Sequence, residues 1–243
     1  MRKSLLGIVL ISLLFLTACD AGYQQENGRW VFIEYNESAG RVVREIDGAD
    51  HTTFEEIKGG HARDAQHVFY REKVIEGADP ATFEKIAGLY WKDKNSVYYV
   101  DHPVPGADPN SFRRIGLGVW WRDNSNAYVG DDPVNPKDLA TFKPINNSWA
   151  KDSLWYYPVK FNNHNPITEL DYATFRILKG GWAKDCCRVF YFDTIVEGAD
   201  LATFEIVNPF RARDKNWYYL MGTRQRTVAE ENALQERLKT PAK

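Results

Sequence analysis

The sequence predicts an all-β fold assembled from a tandem repeat of about 29 residues. Three observations carry that prediction. An Asp preceded by Lys or Arg recurs at Asp64, Asp93, Asp123, Asp152, Asp185 and Asp214, at spacings of 29, 30, 29, 33 and 29 residues. A second motif, Asp-x-x-[Thr/Ser]-Phe, recurs between them, ending at Phe54, Phe83, Phe112, Phe142, Phe175 and Phe204, at spacings of 29, 29, 30, 33 and 29. Aromatic residues follow each Asp of the first motif, as in Tyr98-Tyr99 and Tyr218-Tyr219. The two motifs stretch together in the fourth interval, so they belong to one repeating unit.

The elements follow in order along the chain. "MRKSLLGIVLISLLFLTACD" begins with the basic pair Arg2 and Lys3, then an apolar run from Leu5 to Leu16. That run has the length of a signal-peptide core and is too short for a bilayer of ~30 Å. Leu16-Thr17-Ala18-Cys19 resembles a bacterial lipobox, which implies cleavage before Cys19 and its lipidation. More than one acyl chain gives stable membrane attachment. Asp20 resembles the enterobacterial signal for retention in the inner membrane. The expected division is a leader at 1–18, a tether at 19–28, a β-repeat domain at 29–222 and a helical tail at 223–243.

"GRWVFIEYNESAGRVVREI" reads as a first hairpin that lacks the second motif. The internal unit is clearest at 79–106. Phe83–Ile86 and Leu89–Lys92 are short apolar-polar alternations, suited to half-buried strands. Asp93-Lys94-Asn95-Ser96 has turn composition, because Asp and Asn bond their own backbone. Val97-Tyr98-Tyr99-Val100 is β-branched and aromatic, hence a strand. "DHPVPG" (101–106) breaks the sheet at its prolines, and in "GADPATF" (77–83) Asp79 caps a single helical turn opened by Pro80. The unit is therefore expected to hold three short strands and a capped turn. Thr227-Val228-Ala229-Glu230 is a capping-box pattern that opens a short C-terminal helix. Stacked units fit a curved open array best; a propeller-like ring of small blades is the alternative, although 29 residues is short for a blade.

"KDKNSVYYV" (92–100) and "RDKNWYYL" (213–220) resemble the bacterial DKNYY family, over about Trp30 to Met221. The resemblance weakens at "RDAQHVFY", "RDNSNAYV" and "KDCCRVFY". It implies an exported repeat protein and supplies no active site.

Charge and motifs narrow the chemistry. The chain has a net charge of −2, and loss of Arg2 and Lys3 leaves 29 basic against 33 acidic residues, or −4. With no basic run, nucleic acid is not an expected partner. Six equivalent aspartates read as turn formers, since catalysis needs an asymmetric constellation. Asp93-x-Asn95 and Asp123-Asn124-Ser125-Asn126 offer oxygen ligands, but no bend glycine or distal Glu of a calcium loop follows. His51, His61, His67, His102 and His164 show no metal-ligand spacing, and no nucleophile elbow, phosphate loop or dinucleotide fingerprint is present. No enzyme, metal or cofactor is expected. Cys186-Cys187 are adjacent and read either as free thiols or as a vicinal disulfide locking a turn.

The aromatics are the remaining lead. Neighbours along a strand point to opposite faces. Unless both faces are covered, some of Tyr98, Tyr99, Trp120, Trp121, Trp155, Tyr156, Trp217 and Tyr218 face a partner. The functional expectation is a lipid-anchored, periplasm-facing, non-enzymatic interaction module of the bacterial envelope, binding another envelope protein or an incoming one. A toxin-blocking immunity protein is one form of it. An envelope glycan- or peptidoglycan-binding module is the alternative.

Overall fold

The computed structural model describes residues 21–160 and 164–239. The leader, Cys19 and Asp20 lie outside the described residues. No helix among the described residues is long and apolar enough to cross a membrane.

The all-β repeat expectation holds: the described residues form seven small antiparallel sheets and one helix. The first sheet comprises β1 (Gly22–Glu26), β2 (Arg29–Asn36) and β3 (Gly40–Glu45). The second comprises β4 (Glu55–Lys58), β5 (His61–Arg63), β6 (Val68–Tyr70) and β7 (Lys73–Val74). The third comprises β8 (Glu84–Ala87), β9 (Tyr90–Lys92), β10 (Val97–Tyr99) and β11 (His102–Pro103). The fourth holds β12 (Arg113–Arg114), β13 (Trp120–Arg122), β14 (Ala127–Val129) and β15 (Asp132–Pro133). The fifth holds β16 (Lys143–Asn146), β17 (Trp149–Lys151) and β18 (Tyr156–Pro158). The sixth holds β19 (Arg176–Ile177), β20 (Trp182–Lys184), β21 (Val189–Tyr191) and β22 (Thr194–Ile195). The seventh holds β23 (Glu205–Asn208), β24 (Arg211–Arg213), β25 (Trp217–Leu220) and β26 (Thr223–Thr227). Helix α1 (Val228–Lys239) closes the described chain.

Three boundaries differ from the expected ones. Five sheets have a fourth strand, and in the third and fourth sheets it falls where prolines suggested a break. Pro103 and Pro133 lie on edge strands, where the missing N–H would not have joined a ladder. The stretch expected as a tether contains β1, whose Tyr23 is buried beside Phe32 and Phe54. The tail contributes β26 before the helix. There the capping box forms as read: the Thr227 hydroxyl accepts the Glu230 N–H at 3.1 Å, and the Glu230 carboxylate accepts the Thr227 N–H at 2.8 Å.

The repeat region divides into two compact units, up to Ala81 and from Thr82 onward. In the first unit one core joins both sheets, with Tyr23, Phe32 and Ile46 from the first and Phe54, Ala62 and Phe69 from the second. The second unit has four such cores, each shared by consecutive sheets. Tyr90, Val97 and Val104 meet Phe112, Trp121 and Tyr128; Trp120, Ala127 and Val134 meet Phe142, Ala150 and Tyr157. Trp149, Tyr156 and Ile167 meet Phe175, Ala183 and Phe190; Trp182, Val189 and Tyr191 meet Ala212 and Tyr219. An inner sheet is thus sandwiched, and neighbouring aromatics on one strand serve different cores: Trp120 faces the fifth sheet and Trp121 the third. Among the described residues the fifth sheet shows three strands and a bridge from Tyr156 to Ile167, in the interval stretched to 33 residues.

Candidate functional site

Each four-stranded sheet has two ends. At one lie the turns that carry the repeated Asp; at the other lie the tips joining the first strand to the second and the third to the fourth. The Asp end is built inward. Asp123 Oδ1 accepts the N–H groups of Ser125 and Asn126, both at 2.7 Å. Its Oδ2 accepts the Asp108 N–H at 2.9 Å and the Tyr128 hydroxyl at 2.9 Å. Asp152 and Asp214 repeat the pattern with Tyr157 at 2.6 Å and Tyr219 at 2.7 Å. Asp108, of the second motif, caps its own turn through the Asn110 N–H at 3.0 Å. The hydroxyl of that motif accepts the N–H just after the turn Asp, as Thr53 does from Ala65 at 3.0 Å and Thr141 from Ser153 at 2.9 Å. One buried carboxylate therefore ties both motifs together, which explains their common period.

Burial would push the carboxyls of Asp64, Asp123, Asp152 and Asp214 up. The hydrogen bonds they accept outweigh it and hold all four below the ordinary carboxylate range. These oxygens are occupied by the fold, in keeping with turn formers.

The aromatic expectation is corrected in part. Trp120, Trp121 and Tyr156 are buried in cores shared with neighbouring sheets of the second unit, and Tyr98 is buried beside Phe83 with its hydroxyl on Asp93. Tyr99, Trp155, Trp217 and Tyr218 are half-buried. Lys137 lies 5.9 Å from the Trp155 ring and Arg224 5.0 Å from that of Trp217. None of the eight tryptophans is exposed.

Of the two readings of the adjacent cysteines, the structure has the first: Cys186 and Cys187 are free thiols, both exposed. The turn at Asp185 closes through its own hydrogen bonds, with Oδ1 accepting the Cys187 and Arg188 N–H groups at 2.8 and 2.7 Å. No disulfide is needed to hold it. The thiols lie with the Asp185 carboxylate within 4.8 Å of one another. The Cys186 thiol donates to Asp171 Oδ2 at 3.4 Å, and interaction with Cys187 pushes its pKa up to about 11. A thiol so raised is a poor nucleophile.

The tip end of the second unit is different. Its loops expose apolar side chains that sequence reasoning did not single out: Leu89, Leu117, Val119, Ile145 and Phe210, with Leu117 86% exposed. A groove of about 630 Å³ runs over the tips of the third and fourth sheets to the fifth. Leu89, Val119, Val129 and Val159 supply its apolar lining, and Arg114, Asp131, Asp132, Lys160 and His164 its polar margin. A second groove of about 590 Å³ joins Leu117, Ile145 and Leu178. The Gly116–Val119 loop borders both. The tips are held rigidly. Tyr90 donates its hydroxyl to the Gly130 carbonyl at 2.8 Å, and the Trp120 indole N–H donates to the Asn146 carbonyl at 2.8 Å. The available signal was a Leu or Val beside Gly in a tip, as in "GLGV", which strand periodicity does not weigh.

No curated protein and no solved structure matches the chain. Residues 18–102 and 90–223 match the DKNYY family. The repeated Asp turn with its following aromatics, the shared cores and a match spanning most of the sequence together place the chain in the DKNYY family.

Proposed function

We propose that the protein is a non-enzymatic protein-interaction module, anchored to a bacterial envelope membrane through a lipidated Cys19. It engages another envelope protein, or an incoming one, through the tip end of its second unit. The observation that carries this reading is the run of exposed Leu89, Leu117, Val119 and Ile145 on consecutive rigid loops, bordered by charged residues. An exposed apolar strip with a polar margin is what a protein partner covers. The glycan-stacking alternative has less support, since no tryptophan offers an open face.

The test is affinity capture from cross-linked cells, comparing wild type with a Leu89→Asp/Leu117→Asp/Ile145→Asp variant. Cys19→Ser, expected to leave the membrane fraction, serves as the anchoring control. Wild type should retain a discrete protein that the tip variant loses, with the melting curve unchanged. Identical retention by both would remove this reading.

A further inference from the structure

The first residue of the first strand and the last residue of the second strand are direct cross-strand partners in each sheet that contains the second motif. In the second, third and seventh sheets these partners carry opposite charges. Arg63 faces Glu55 at 2.5 Å, Lys92 faces Glu84 at 3.4 Å, and Arg213 pairs with Glu205. In the three sheets between, the acid is replaced by a second cation. Arg113 faces Arg122, Lys143 faces Lys151, and Arg176 faces Lys184. Like charges directly opposite each other destabilise a ladder. The same fold supplies the favourable pairing three times and departs from it in three consecutive sheets.

Two of the second-strand cations, Arg122 and Lys151, are anchored. Arg122 donates to the Leu139 carbonyl at 3.3 Å, and Lys151 lies 5.3 Å from the Tyr172 ring. The first-strand cations, Arg113, Lys143 and Arg176, are exposed, with Arg113 donating through one guanidinium nitrogen to the Ser111 carbonyl at 3.1 Å and Arg176 to the Phe175 carbonyl at 2.8 Å. None of the six forms an ion pair among the described residues. The nearby turn carboxylates are otherwise engaged. Asp108 accepts the Ser111 hydroxyl at 2.5 Å, Asp138 accepts the Thr141 and Ser153 hydroxyls at 2.6 and 2.7 Å, and Asp171 accepts the Cys186 thiol. The row sits at the Asp-turn end of the sheets, opposite the tips.

We propose that Arg113, Lys143 and Arg176 form a binding row for an extended acidic polypeptide segment. Sheets stacked face to face lie ~10 Å apart, and a segment extended as polyproline II turns once every three residues and rises ~3.1 Å per residue, so carboxylates at every third position share one face and meet successive cations. Arg113 and Arg176 add the fork geometry that suits carboxylates. The turn aspartates along the row disfavour a densely charged polyphosphate or sulfated glycan. Its closely spaced anions would fall beside them.

The test uses the full chain in non-ionic detergent with a fluorescent peptide carrying Glu at every third position. A peptide of equal charge with its glutamates clustered, inorganic polyphosphate and a sulfated glycan complete the comparison. Wild type should bind the spaced peptide most tightly, and more weakly as salt rises. Arg113→Glu/Lys143→Glu/Arg176→Glu should bind it at least about tenfold more weakly, on three lost charge contacts. That variant should melt no lower than wild type, since it restores the pairing of the other sheets. The Leu89→Asp/Leu117→Asp/Ile145→Asp variant should bind the peptide normally, separating this surface from the tips. Undiminished binding by the triple Glu variant, no binding by wild type, or tighter binding of polyphosphate or glycan than of the spaced peptide would each overturn the proposal.

Discussion

Asp123 shows what one side chain does in this fold. Its two oxygens close a turn, hold the cap of the preceding motif and take a tyrosine hydroxyl, all from a buried position. Asparagine would keep one acceptor oxygen but turn a second donor toward the Asp108 N–H and the Tyr128 hydroxyl. Asp123→Asn should therefore cost about 1–3 kcal/mol, the range for an unsatisfied buried group. The pH dependence follows from the direction of the shift. The folded carboxyls of Asp64, Asp123, Asp152 and Asp214 titrate below the unfolded value of ~3.9, so folding weakens proton binding. Their stabilisation is complete above that value and is lost as pH falls through it toward the depressed folded values. Urea unfolding at steps from neutral to acid pH should show stability falling below about pH 4. The decline should be shallower in Asp123→Asn, and equal slopes in both proteins would contradict this account.

At the scale of the element, the tight turn from third to fourth strand holds a strained residue. Val100 adopts φ +61°, where Gly130 sits in the next unit at +62°, and its N–H donates to the Leu89 carbonyl at 2.8 Å. A left-handed conformation costs an L-residue roughly 1–2 kcal/mol, with a β-branched one at the unfavourable end. Val100→Asn keeps the N–H and tolerates that conformation, so it should raise stability by about 0.5–1 kcal/mol in a thermal melt. Val100→Gly should gain less, because glycine adds freedom to the unfolded chain. The same elements show how far the residues could be read. Asp93-Lys94-Asn95-Ser96 announces its turn, and Thr227 with Glu230 announces a helix start, because both signals are local and each residue bonds within three positions. The fourth strands of the third and fourth sheets were hidden because Pro103 and Pro133 are breakers everywhere except on an edge. The burial of Trp120 and Trp121 was hidden because alternation fixes which face a side chain takes, while only stacking decides whether that face meets water. The exposed Leu117 and Ile145 were hidden for the complementary reason: a loop apolar residue carries no periodicity.

In the second unit, cooperativity arises from cores that belong to pairs of sheets. Trp149, fully buried, extends from the fifth sheet toward Phe175 at 5.9 Å and Phe192 at 6.2 Å in the sixth. Trp149→Ala should cost about 3–5 kcal/mol. Hydrogen exchange should show faster opening of amides in both the fifth and sixth sheets; loss confined to the fifth would contradict a shared core. Sharing also imposes an order on biosynthesis. When Trp120 leaves the ribosome, the partners that cover it, Phe142 and Tyr157, are still 22 and 37 residues away. At ~5–20 residues per second the nascent chain carries a sticky leading face for seconds, and each new repeat seals the last while exposing its own. Growth therefore proceeds like a zip fastener, in which the newest tooth is always bare.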